Sequence, residues 1–174
     1  VALGYALLAG GENAEMLRLA DAVLAPRAMP GPEPFDDMDE LPWIINLRGI
    51  ALRRLGRIDE ALAQFVRAAG YQGVDPPDIS HALNLGYFHC GLGNAAAAID
   101  AIAAADHMSD YGRMVQAGIQ HCAAWLQGDR DAARVALDYL REHRNDGPEM
   151  WVRALVREDR MDEARDGLLE MLAS

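Results

Sequence analysis

The stretch that most constrains this chain runs from Asn46 to Ala69, which reads as two amphipathic helices meeting at Gly56. At a period of 3.6, Leu47, Ala51, Leu52 and Leu55 share one side of the first helix. Ile58, Ala61, Leu62, Phe65 and Ala69 share one side of the second. Small residues (Gly49, Ala51, Ala61, Ala68) recur where two such helices would have to approach closely.

The same logic returns along the chain. Leu3 to Ala14 places apolar and small residues before Gly11, and Met16, Leu17, Leu19, Ala20, Val23 and Leu24 follow. Leu85 to Asn94 turns at Gly93 and leads into Ala98, Ile99, Ile102 and Ala105. Gln120 to Asp129 turns at Gly128 and leads into Ala133, Val135, Leu137 and Leu140. In the last copy, Trp151 to Ala164, Asp159 stands where the others have glycine. The turn positions 11, 56, 93, 128 and 159 lie 45, 37, 35 and 31 residues apart. Three of these steps are close to the 34-residue period of a helix-turn-helix repeat. Each glycine suits a left-handed residue closing a helix, and Asn94 and Asp129 suit the cap of the next one. Asp75-Pro76 reads as another helix start.

The pattern Gly49, Leu52, Leu55-Gly56-Arg57, Asp59-Glu60-Ala61-Leu62, Phe65, Ala68 resembles a bacterial-type tetratricopeptide (TPR) motif. Leu85-Gly86, Gly93, Ala98 and Ala105 resemble a second copy. The other three depart from the family pattern: Met16 replaces its Ala, while His121 and Asp159 replace glycines. The resemblance covers nearly the whole chain. It implies an all-α fold, a right-handed α-solenoid of about five TPR-like repeats in one domain over 1–174. The pattern opens in mid-helix at Val1, so the first repeat is expected to be truncated at its start. An irregular helical bundle is the rival architecture.

The 45-residue step marks an insertion at about 25–42, too rich in proline to be helical through its middle. Its carboxylates (Glu33, Asp36, Asp37, Asp39, Glu40) lack the glycine and final Glu of a calcium loop. A solvated acidic connector is expected, with Phe35 and Met38 pinning it to the helices.

In TPR proteins the first helix of each pair lines a concave face that takes peptides or partner helices. Carrying that pattern over assigns partner contact to Tyr5; to Trp43, Asn46, Ile50 and Arg53; to Leu83, Tyr87 and Cys90; to Cys122 and Trp125; and to Arg153. This face is apolar and aromatic, with Tyr and Trp as anchors and Asn46 and Arg53 orienting the ligand. A terminal-carboxylate clamp does not fit, because Val115 and Ile119 stand where basic side chains would be required. The competing expectations are a groove filled by the chain itself or buried in a homodimer.

Composition narrows the partner. A net charge of −11, with every basic residue an Arg, argues against a nucleic-acid binder and against an anionic membrane surface. No apolar run reaches the length of a membrane span. Two cysteines make no disulfide framework, so a reducing, cytoplasmic setting is expected.

No enzyme chemistry is expected either. His81, His107 and His143 have no nucleophile at informative spacing, and the chain carries no phosphate loop, dinucleotide fingerprint or zinc-protease motif. His89-Cys90 and His121-Cys122 could bring four soft ligands together, but neighbours on a helix point about 100° apart. Apolar packing of the two thiols is therefore preferred to a metal site, and neither catalytic residue nor cofactor is assigned. The expected function is a non-enzymatic interaction or scaffold module for a protein or peptide partner. The alternatives are the regulatory or docking domain of a larger enzyme or transcription regulator, and a metal- or redox-responsive protein using the two His-Cys pairs.

Overall fold

A computed structural model describes residues 1–25, 40–71, 79–106 and 108–173. The carboxylates Glu33, Asp36, Asp37 and Asp39, with Phe35, Met38, Asp75-Pro76 and His107, lie outside those residues. The fold is all-α, and no strand occurs among the described residues. Its helices are α1 (Ala2–Ala9), α2 (Asn13–Leu24), α3 (Leu41–Arg54), α4 (Ile58–Ala69), α5 (Ser80–Gly91), α6 (Ala95–Ile102), α7 (Asp110–Gln127), α8 (Arg130–Glu142), α9 (Pro148–Arg157) and α10 (Met161–Ala173).

The helices join as five hairpins: α1–α2, α3–α4, α5–α6, α7–α8 and α9–α10. All five turns are the same object. Gly11, Gly56, Gly93 and Gly128 adopt φ of 75° to 79°, and Asp159 adopts φ 60°. The residue after each donates its N–H to a carbonyl five back: Glu12 to Leu7, Arg57 to Leu52, Asn94 to His89, Asp129 to Ala124 and Arg160 to Leu155, at 2.8 to 3.0 Å. This is the Schellman closure, in which a left-handed residue lets orphan carbonyls of a helix end find donors. The side chain five places after each turn residue is buried: Met16, Ala61, Ala98, Ala133 and Ala164. Asp129 caps α8 by accepting from Ala132 N at 3.0 Å, as expected of it. Asn94 stands at the start of α6 but makes no side-chain cap.

Helix α3 begins at Leu41, inside the segment expected to be an insertion. Pro42 fits its first turn, because the N–H it lacks would have had no helical partner there. Leu41 is buried with Ile45 and Ala68, so the helix start is held by core contact.

Where the repeat reading expects one domain, the contacts group the chain into two compact units, 1–81 and 82–174. In the first, Met16, Ile45, Leu47 and Leu52 are fully buried, and Phe65 lies beside Gly49. Arg48 pairs with Asp21 at 2.9 Å and Arg54 donates to the Leu8 carbonyl, tying α3 to α2 and α1. In the second, Met114, Leu140, Trp151, Ala154, Leu155 and Ala164 form one apolar cluster. Leu83, Cys90, Ala98, Ile102, Ile119 and Cys122 form another. Burying a side chain the size of Leu or Met contributes about 1.5–3 kcal/mol, so these clusters hold the hairpins together.

Candidate functional site

The first helix of each hairpin carries at least one aromatic side chain, and within each unit some of these meet. In the first unit Tyr5 (α1) and Trp43 (α3) have ring centroids 6.4 Å apart, tilted at 53°. Trp43 meets His81, in the first turn of α5, edge-on at 4.6 Å. Tyr5 is 45% exposed, Trp43 half-buried and His81 buried, so the row grades from solvent to core. Ile50 is half-buried and Arg53 exposed.

In the second unit the Arg153 guanidinium (α9) donates to the Tyr87 hydroxyl (α5) and lies 5.4 Å from that ring's centroid. Tyr111, at the start of α7, hydrogen-bonds Glu149, one turn before Arg153. Partial burial and that carboxylate push the Tyr111 hydroxyl up to about 12. Tyr87, Tyr111, Glu149 and Arg153 thus gather on three successive first helices. Sequence reasoning assigned Tyr87 and Arg153 but missed Tyr111. Its signal was faint: a tyrosine two residues into a helix, two turns before the residues carried over from the family.

Trp125 is not an open anchor. The Arg130 guanidinium covers its ring at 3.5 Å from the centroid, and His121 stacks at 6.3 Å. His121 is fully buried where the first three hairpins have Gly4, Gly49 and Gly86, seven residues before the turn. Its Nε2 lies 3.0 Å from a Glu158 carboxylate oxygen, and Nδ1 has no hydrogen-bond partner. Burial pulls the imidazole below its ordinary value, and the bond to Glu158 offsets this only in part. The ring is therefore neutral, with Nε2–H donating to Glu158.

Four of the assigned contact residues are interior. Asn46, Leu83, Cys90 and Cys122 are 1%, 5%, 7% and 2% exposed, which removes them from any surface a partner could touch. Leu83, Cys90 and Cys122 belong to the apolar cluster that α5, α6 and α7 close among themselves, so part of the stripe read as a free wall is core.

A separate concavity lies on the other side of α7. It holds about 610 Å³, within the range of ligand-binding clefts. Its floor includes Ala117 and Ala124, and its walls include Ile99 from α6 and Val135 and Tyr139 from α8. At 100° per residue, this face of α7 is about half a turn from the face of Cys122 and Trp125. The sequence reading placed Ile99 and Val135 in the apolar runs that follow the turns and did not find the cleft.

No family model matches this chain, and comparison with curated proteins and with solved structures finds no match. The site's meaning therefore rests on its own geometry. Among the described residues, no helix is long and apolar enough to cross a membrane.

Proposed function

We propose that this chain is a TPR-like helical repeat protein whose role is to bind a protein partner, without chemistry of its own. The repeat reading is supported by five hairpins closed by the same turn, each followed five residues on by a buried side chain. The binding reading is carried by one observation: Tyr87, Tyr111 and Arg153 converge from three successive first helices. Tyr, Trp and Arg dominate the energetics of protein interfaces because they combine large apolar area with a polar end. Tyr5 and Trp43 offer the same chemistry in the first unit. The partner this suits is a peptide or helix with apolar anchors. A cytoplasmic location suits it too, since Cys90 and Cys122 are free thiols. A second reading, favoured by the 610 Å³ cleft, moves the partner to the α6–α8 side of α7.

Selection of peptides from a displayed random library on the full chain tests both. First-helix binding predicts ligands with apolar anchors whose affinity falls about tenfold or more on Tyr5→Ala or Arg153→Ala. Those ligands should ignore Val135→Arg, which blocks the cleft. Sensitivity to Val135→Arg alone would transfer the site to the cleft. A library without binders, or binders blind to all three changes, would overturn the interaction reading.

A further inference from the structure

Cys90 on α5 and Cys122 on α7 face each other inside the second unit. The two thiols are hydrogen-bonded, and Cys90 also donates to the Ile119 carbonyl, one turn before Cys122, at 3.6 Å. Both belong to the cluster of Leu83, Ala98, Ile102 and Ile119. Two cysteines as mere space-fillers have no reason to sit in contact, since any small apolar pair would serve. They also sit in the field of Arg157. The hydrogen bond from Cys90 and that positive charge make Cys122 the more acidic thiol, despite burial, while Cys90 is pushed up.

We propose that Cys90 and Cys122 are a reversible dithiol–disulfide couple, closed by a hydroperoxide and reopened by a thiol reductant. The Cys122 sulfur, as thiolate, attacks one peroxide oxygen. The O–O bond breaks, Cys122 becomes a sulfenic acid, and the departing hydroxide (alkoxide, from an organic hydroperoxide) takes the proton Cys122 released and leaves as water (or the alcohol). The Cys90 sulfur then attacks the Cys122 sulfur. The S–S bond forms, the S–O bond breaks, and hydroxide leaves with the Cys90 proton as a second water. Two thiols lose two electrons and the peroxide gains them. The second step joins two sulfurs that already share one apolar cluster, so it is intramolecular. Burial (7% and 2% exposed) sets the oxidant class: hydrogen peroxide or another small hydroperoxide enters, and bulky electrophiles are kept out. Closure joins α5 to α7 covalently within the apolar cluster.

The test is the intact mass of the full wild-type chain after graded hydrogen peroxide, followed by denaturation and N-ethylmaleimide. The expected product has lost two hydrogens, takes up no maleimide, runs as a monomer without reductant and yields one peptide pair joined through Cys90 and Cys122. Dithiothreitol should restore two maleimide additions. Cys90→Ser should leave a sulfenic acid at Cys122, trapped by dimedone. Two maleimides per chain after peroxide that fully oxidises a thiol peptide would overturn the proposal. So would oxidation to sulfinic acid without a bridge, or a bridge between two chains. The wild-type measurement decides even if a variant misfolds.

Discussion

At Asp159 a side chain occupies a backbone conformation that the other four turns give to glycine. A left-handed non-glycine residue costs about 1 kcal/mol, and glycine's freer unfolded chain returns part of that. Asp159→Gly should therefore stabilise the chain by about 0.5 kcal/mol. At Gly93, where an added Cβ meets nothing within 4 Å, Gly93→Ala should cost about 1 kcal/mol from the backbone alone. Urea denaturation of both variants checks the pair. His121 gives a prediction in pH. Its folded-state proton affinity is lowered by burial, while the unfolded imidazole titrates near 6.5. As pH falls through that value the unfolded chain binds a proton that the folded chain refuses, so stability drops on acidification. His121→Gln keeps a donor for Glu158 and should flatten the change in urea midpoint between about pH 7.5 and 5.5. A residual slope belongs to His89, whose affinity burial also lowers. The turns were legible in the sequence because a left-handed residue is a demand of the local backbone. The fate of His121 was not, because a glycine site refilled by imidazole depends on Glu158, 37 residues away.

Helix-to-helix approach decides which glycines can be replaced. An added Cβ at Gly86 would lie 2.8 Å from Ile102 Cγ2 and 3.0 Å from the Ala98 carbonyl oxygen. Backbone cannot give way as a flexible side chain can, and overpacking costs about 1–3 kcal/mol. Helix propensity returns about 1 kcal/mol on going to Ala, so Gly86→Ala should lose roughly 1–2 kcal/mol net. At Gly49 the nearest atoms, Gln64 Cβ and the Phe65 ring, stand at 3.3 Å. Gly49→Ala should be close to neutral, and guanidinium denaturation of the two separates them. The fifth hairpin reverses the arrangement. Val152 fills the small-residue site, and Gly167 on α10 makes room, its added Cβ falling 3.1 Å from Val152 Cγ2. A motif read along one helix misses such an exchange, since the requirement belongs to the pair. The same limit explains the partner stripe. Spacing of i, i+4 and i+7 marks a face, and Leu83 and Cys90 lie on a face of α5 that neighbouring helices cover.

Across the whole molecule, charge acts against compaction. Seven Arg stand against twelve acidic residues in 1–81, and nine against fifteen in 82–174, so neither unit neutralises itself. The ion pairs do little to offset this. Arg57–Glu60, Arg113–Asp110, Arg134–Asp131, Arg141–Asp138 and Arg160–Glu163 all join residues three apart on the surface. Such pairs contribute about 0.2–0.5 kcal/mol each and can persist in an unpaired helix, so they fasten no hairpin to another. The repulsion of a net charge of −11 is long-ranged, whereas these attractions act at contact. Salt that shortens the Debye length from about 20 Å to about 6 Å removes the first faster than the second. Melting temperature should therefore rise by a few degrees, about 2–4 °C, between about 20 mM and 300 mM sodium chloride. Circular dichroism at 222 nm reads this directly. A fall in melting temperature would mean that the local pairs outweigh the self-repulsion, and that the excess of acid is tolerated by the fold without cost.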